Sequence, residues 1–168
     1  MPYNTMGFAR MSRLPACSAS RPGACAAARW YNPGVDNNRT EAKHWYSQAR
    51  FDLEAARGSA AAGHWEWACF QAQQAAEKGS AALLLRQGKR QFFSHAIHDL
   101  LDEIQKFAPE FESVSEARRL NEYYIPTRYP NGLPGTVVPH DFYDEKEARE
   151  CVDLAESVLE LISRTIDL

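Results

Sequence analysis

One arginine lies in a proline- and tyrosine-rich segment whose residue types can bind an anion. In "YYIPTRYPNGLPG", which runs from Tyr123 to Gly135, Arg128 stands between two prolines and next to Tyr129. A guanidinium can bind a phosphate or a carboxylate through two parallel hydrogen bonds. The same side chain can instead bind helix carbonyls or an acidic residue and so fix the loop. The residues alone leave both roles open.

Histidines and carboxylates raise the question of a metal site. His95 and His98 are three residues apart with acidic residues nearby, and Glu41 and His44 form one Glu-x-x-His motif. A di-iron bundle requires two such motifs and two further glutamates, so we predict no metal here. The four cysteines contain no Cys-x-x-Cys pair, which argues against both a zinc site and a disulfide framework.

The charge distribution argues against nucleic acid as a partner. The chain has 168 residues and a formal net charge of −3. Its only charged side chains before Asp36 are Arg10, Arg13, Arg21 and Arg29, so the rest of the chain is more acidic than the whole. Phosphate binding is dominated by Lys and Arg, which makes such a domain a poor non-specific binder. P-loop, G-x-G-x-x-G, serine hydrolase and cysteine protease signatures are also absent.

Apolar patterns with helical spacing predict an all-α fold, and no apolar run approaches membrane-span length. Thr40 is expected to cap a first helix that begins at Glu41. The second helix should run from about His64 to Gln87 and be stopped by Gly88. Its face of small residues, mostly alanine, would let another helix approach closely, as expected for the central helix of a bundle.

Three further helices complete the predicted fold. Ser94 is expected to cap a third helix through "HAIHDLLDEIQKF", and the Ser113-x-x-Glu116 capping box should open a short fourth helix. Asp144 and Glu147 repeat this capping spacing before the last helix. The helical spacing of apolar residues predicts one inward face on the third helix (Ile97, Leu100, Leu101 and Ile104) and one on the last (Ala148, Val152, Ala155, Leu159, Ile162 and Ile166). We therefore predict an up-and-down four-helix bundle with an additional short helix and a long docked loop before the last helix.

The chain divides into an N-terminal tail and one domain. Residues 1–38 are predicted to be disordered because they have no clear period, and residues 39–168 form the helical bundle domain. The Arg-rich, acid-free composition of the tail is also typical of a mitochondrial transit peptide. No strong amphipathic helix is visible in the tail, however, so we expect a cytoplasmic protein, with a mitochondrial location as the alternative.

The stretch "WEWACF" (Trp65–Phe70) is rich in aromatic residues. Its three aromatic side chains are too close together for one helix to direct all of them into its own core. We expect part of this apolar area to contact a second copy of the chain, and so predict a homodimer.

Four motifs in order resemble the HEPN family, a nucleotide-binding domain of higher eukaryotes and prokaryotes. They are "CFQAQQAAEKGSAALLL", "SHAIHDLL", "YYIPTRYPN" and "FYDEKEARECVDLAESVLELI", and the resemblance covers about Glu41 to Leu168. Within the family, "NNRTEAKHWYSQARFDLEAA" and "TRYPNGLP" are most similar to the C-terminal HEPN domain of sacsin-type chaperone proteins. No His-Pro-Asp motif is present, so J-domain activity is not implied.

This resemblance implies a two-fold dimer of helical bundles with a nucleotide site and no cofactor. The expected function is a non-catalytic HEPN module that dimerises and binds GTP, ATP or another anionic ligand in a chaperone-related setting. Arg128, Lys78, His95 and Tyr129 are the expected ligand contacts. Chaperone machinery is the further partner that the sacsin-type resemblance implies.

Two alternatives stay open. Some HEPN proteins are ribonucleases, often toxins, that use an arginine followed four to six residues later by a histidine, and Arg90 with His95 is the candidate pair here. The arginine would stabilise phosphate charge and the histidine would transfer a proton. The same spacing of arginine and histidine occurs at two other places in this chain, so it is weak evidence for a ribonuclease. The third alternative is a purely structural dimerisation module.

Overall fold

The computed structural model describes residues 35–90 and 95–167. In this part of the chain five α-helices follow in order: α1 (Val35–Ala61), α2 (Trp65–Arg86), α3 (Ile97–Gln105), α4 (Pro139–Phe142) and α5 (Glu145–Thr165). A 3₁₀ segment, Pro109–Tyr123, follows α3, and a 3₁₀ turn, Pro130–Gly132, lies in the loop before α4. No strand occurs among these residues, which confirms the all-α prediction. No helix found there is long and apolar enough to cross a membrane.

The second helix is the centre of the bundle, as predicted from its small residues. It packs against α1, α3, α5 and the 3₁₀ segment. The small residues of α2 are fully buried at Ala68, Ala72, Ala75 and Ala76. At Gly79 an added Cβ would overlap the side chain of Leu159, so α5 approaches the backbone of α2 directly. Gly88 ends the helix with a positive φ of 78°.

The inward faces of α3 and α5 also agree with the prediction. Ile97, Leu100, Leu101 and Ile104 are at most 1% exposed. On α5, the buried face consists of Ala148, Cys151, Val152, Ala155, Val158, Leu159 and Ile162. Asp144 caps α5, because its Oδ1 accepts a hydrogen bond of 2.8 Å from the Glu147 amide.

The start of α1 differs from the prediction. The helix begins at Val35 rather than Glu41, so Thr40 lies inside it and residues 35–38 are helical rather than part of the tail. Long-range contacts hold this first turn: Arg90 donates to Asn38 over 2.7 Å and pairs with Glu41 over 3.0 Å. Tail residues 1–34 and the predicted cap Ser94 lie outside the described residues.

The predicted fourth helix is also corrected. The segment begins at Pro109, before the predicted capping box, and its turns are 3₁₀ rather than α. Ser113 does not act as the expected acceptor, because its hydroxyl donates to the Glu110 carbonyl over 2.7 Å. Val114 leaves helical geometry with φ −111° and ψ 20°, which kinks the segment.

The loop after the 3₁₀ segment is docked on the bundle, as expected. Thr127 is 2% exposed, and its hydroxyl donates to the Tyr123 carbonyl. Pro139 is buried at the start of α4, and α4 packs against α2. These contacts fix both ends of the segment that carries Arg128.

Candidate functional site

Arg128 is held by its neighbours in the loop and by α2. Its Nε donates a hydrogen bond of 2.8 Å to the Tyr124 carbonyl. Its guanidinium carbon lies 4.5 Å from the ring centroids of Phe70 and Tyr124 and 5.2 Å from that of Tyr129. A guanidinium within about 6 Å of aromatic faces is attracted by the ring quadrupoles. Arg128 therefore fastens the loop to α2 through one hydrogen bond and three ring contacts.

Around this arginine the side chains form one continuous patch, which we call the aromatic surface: Trp67, Phe70, Tyr124, Arg128 and Tyr129. The Trp67 and Phe70 rings are 6.0 Å apart and edge-on, and the Phe70 and Tyr124 rings are 6.5 Å apart. Trp67 is 45% exposed and Tyr129 is 50% exposed. Trp67 and Tyr129 are thus about half exposed to solvent, although Trp67 contacts Phe70 and Tyr129 contacts Arg128.

Lys78 lies elsewhere on α2 and faces α1. Its Nζ is 2.5 Å from Asp52 Oδ2, and both side chains are mostly buried. Lys78 also lines a cavity of about 260 Å³ together with His44, Trp45 and Gln48. The lysine therefore has a carboxylate partner and borders an opening whose walls include an indole ring.

His95 contacts a buried glutamate of α2. Its Nδ1 is 2.8 Å from Glu77 Oε1, and Glu77 is 6% exposed whereas the His95 side chain is 75% exposed. The other oxygen of Glu77 accepts hydrogen bonds from Gln73 and Gln74 over 3.0 and 3.2 Å. These contacts satisfy a carboxylate that would otherwise be costly to bury.

Two thiols and two tyrosines form a buried cluster between α2, α5 and the 3₁₀ segment. Cys69 and Cys151 are free and buried, and the hydrogen bond that the Cys69 thiol donates to Cys151, together with burial, raises the pKa of Cys69. Burial raises the pKa of Tyr143 to about 12, and burial together with the neighbouring Cys151 raises the pKa of Tyr123. Because a thiolate is the nucleophile and the metal ligand, Cys69 is suited to neither role. Cys17 and Cys25 lie outside the described residues.

The predicted site residues do not gather around one pocket. Arg128 contacts α2 at Phe70 and His95 contacts it at Glu77, seven residues later. These two contacts share one face of α2 but are about 10 Å apart along its axis. Lys78 points instead to Asp52 on α1, and Arg90 is bound to Asn38 and Glu41.

Sequence reasoning missed one group of candidate metal ligands. His64, Glu66 and His140 offer one ligand atom each within 4.8 Å of one another. His64 directly precedes α2, Glu66 lies in its first turn and His140 lies in α4. The His-x-Glu spacing was visible in the sequence, but no pattern linked it to a histidine 74 residues further along the chain.

These features define an all-helical bundle domain with an ordered aromatic surface and a docked loop. Residues 42–165 match the HEPN domain, and the chain belongs to the HEPN family. It is 28% identical over 135 residues to a Methanocaldococcus jannaschii protein named "Putative toxin MJ1304", a match that covers 72% of this chain and 85% of that protein.

Three solved structures share this fold. The protein TT1696 from Thermus thermophilus is 38% identical with a TM-score of 0.70, covering 75% of this chain and 98% of that one. ST0689, an archaeal HEPN homologue, is 33% identical with a TM-score of 0.63, covering 76% and 98%. A HEPN domain protein from Thermotoga maritima is 27% identical with a TM-score of 0.58, covering 73% and 96%.

Proposed function

We propose that this chain is a non-catalytic HEPN module that forms a homodimer through its aromatic surface. The observation that carries the proposal is the partial exposure of Trp67 and Tyr129 on a patch that Arg128 holds in place. Tryptophan, tyrosine and arginine are the residue types most enriched among the side chains that dominate binding energy at protein interfaces. The patch combines all three.

Preorganisation strengthens this proposal. An interface side chain that is ordered only on binding loses conformational freedom, which reduces affinity. Here Phe70 and Tyr124 support the exposed rings, and the prolines on both sides of Arg128 restrict the loop. Ile125, the neighbour of Tyr124 in the chain, is 47% exposed and adds apolar area to the aromatic surface. A second copy of the chain is the partner that we propose for it.

Substitution in the aromatic surface should weaken the dimer. We expect Trp67→Ala and Tyr129→Ala each to raise the dimer dissociation constant by roughly tenfold or more, because each removes a large central ring. Phe51→Ala is the matched control, since Phe51 is a 60% exposed aromatic residue on α1. Sedimentation velocity over a concentration series measures all three constants. A wild-type monomer at about tens of micromolar, or dissociation caused by Phe51→Ala alone, would refute the proposed interface.

Nucleotide binding is a second part of the proposal, and the cavity beside Lys78 supports it. In this proposal Trp45 stacks on a base, and Lys78 exchanges part of its contact with Asp52 for a contact with a phosphate. Its volume of about 260 Å³ is just below that of ordinary ligand pockets, about 300–1,000 Å³, so it would hold part of a GTP or ATP molecule. The sacsin-type chaperone context stays a prediction that rests on the "TRYPNGLP" resemblance.

Calorimetric titration with GTP and ATP tests the nucleotide proposal. We expect Lys78→Gln to weaken binding by roughly tenfold, because a charge-assisted phosphate contact is lost. Lys43→Gln is the control, since Lys43 is an exposed lysine of α1. If no heat of binding appears at millimolar nucleotide, the module has a dimerisation role alone.

Ribonuclease activity is the competing function, and the toxin name of one relative is the observation that favours it. Against it, Arg90 and His95 each contact a glutamate, on α1 and α2 respectively. An arginine that neutralises a carboxylate is less available to stabilise phosphate charge. Cleavage of a labelled RNA by the wild-type protein, lost in both Arg90→Ala and His95→Ala, would establish the enzyme and displace our proposal.

A further inference from the structure

We propose that His64, Glu66 and His140 form a Zn²⁺ site that clamps α4 to the start of α2. The two elements are far apart in sequence but pack against each other, which brings the three side chains together. Their ligand atoms lie within 4.8 Å of one another. The inference is independent of the proposed dimer and of the nucleotide cavity.

Glu66 is the side chain that points to a ligand. It is 6% exposed, and its Oε2 is buried with no hydrogen-bond partner. His140 Nδ1 lies 3.4 Å from this oxygen, close enough for attraction but outside hydrogen-bond geometry. A buried carboxylate oxygen without a partner is costly. A cation bound between Glu66 and the histidines would remove that cost.

The chemistry of the three donors favours Zn²⁺ over the hard cations Mg²⁺ and Ca²⁺. Two imidazoles and one carboxylate are the ligands of zinc sites that keep a fourth position for water, whereas Mg²⁺ and Ca²⁺ prefer oxygen ligands. With zinc–ligand bonds of about 2.1 Å, tetrahedral neighbours are about 3.4 Å apart. The distance between His140 and Glu66 already has this value. The other distances between ligand atoms, which are at most 4.8 Å, must shorten when the metal binds. The two histidine side chains are exposed and can change rotamer to shorten them.

The two histidines lie where a bound metal would hold α4 against the start of α2. His64 precedes the first turn of α2, and its side chain makes no capping hydrogen bond. His140 belongs to the short helix α4, whose neighbour Pro139 is already buried. The His64 and His140 ring centroids are 6.2 Å apart with an angle of 51° between the rings. A metal bridging them would fix the end of the loop that carries Arg128.

Zinc titration of the untagged 168-residue chain, stripped of metal with a chelator, tests the site. We expect one Zn²⁺ per chain, a melting temperature that rises with zinc concentration, and Co²⁺ binding with the visible absorption of a tetrahedral site. His64→Ala, His140→Ala and Glu66→Gln should each reduce zinc affinity by roughly tenfold or more, because each removes a direct ligand. His44→Ala, which alters an exposed histidine of α1, should bind zinc like the wild type.

Three results would overturn the inference. Absence of zinc binding would mean that His140 and Glu66 are in contact without a metal between them. A stoichiometry of one zinc per two chains would place the ion between copies rather than within this cluster. Loss of binding in His44→Ala with wild-type affinity in His64→Ala would locate the ion on a different surface.

Discussion

Truncating Phe111 to alanine will lower the free energy of unfolding by about 3–5 kcal/mol, the largest loss that we expect from one substitution in this domain. Phe111 has no exposed surface and is the largest of the fully buried side chains among the described residues. It lies near the start of the 3₁₀ segment and packs into the core between the helices. Removal of its ring therefore leaves a cavity that backbone movement can fill only in part.

Urea denaturation monitored by circular dichroism measures this loss. Phe51→Ala is the control, because its ring is 60% exposed and should change stability by no more than about 0.5 kcal/mol. A loss below about 1 kcal/mol for Phe111→Ala would show that the 3₁₀ segment does not pack into the core in solution.

The 3₁₀ segment also shows why part of the fold escaped prediction. Its buried residues are Phe111, Val114, Ala117, Leu120 and Tyr123, each three positions after the last. A repeat of three is the period of a 3₁₀ helix, whereas an α-helix would alternate steps of three and four. The capping-box pattern at Ser113 drew the prediction to an α-helix that began too late. The period itself was the better signal.

Strongly amphipathic helices were predictable because their apolar residues recur at helical spacing. The buried residues of α3 and most of the apolar face of α5 were identified, and so was the Asp144 cap. The start of α1 was not, since Arg90 stabilises its first turn from a distant part of the chain. Tertiary contacts of this kind leave no local pattern.

The same limit applies to the candidate sites. The contacts of Arg128 with Tyr124 and Tyr129 are local, because all three residues lie within one short segment of the chain. Its contact with Phe70 joins residues 58 positions apart and required the fold. The pairs Lys78–Asp52 and His95–Glu77 likewise depend on how α2 meets its neighbours. Residue type indicated which side chains can act, but only the packing shows which partners they have.

Replacing Arg128 with alanine should lower the free energy of unfolding by about 2–3 kcal/mol. The change removes the hydrogen bond to the Tyr124 carbonyl and the cationic partner of three rings. Arg128→Lys should recover only part of the loss, because an ammonium keeps the charge but lacks the planar group that stacks on two rings at once. Urea denaturation of both variants measures the difference.

A double-mutant cycle with Phe70→Leu isolates the contact between the loop and α2. We expect a coupling energy of about 0.5–1 kcal/mol between Arg128→Ala and Phe70→Leu, since the ring and the guanidinium are 4.5 Å apart. Additive effects would mean that the loop is held by Thr127 and the prolines rather than by this contact.

Measuring dimerisation of the Arg128 variants distinguishes the two roles that the sequence left open for this residue, anchoring the loop or binding an anion. If Arg128 orders the aromatic surface, Arg128→Ala will weaken the dimer as well as the fold, because Tyr129 loses the cation that positions its ring. GTP titration of the folded variant should then match the wild type, since Lys78 and its cavity lie apart from Arg128. Unchanged stability together with lost GTP binding would instead make Arg128 a ligand contact, with its ring contacts serving to aim the guanidinium at the phosphate.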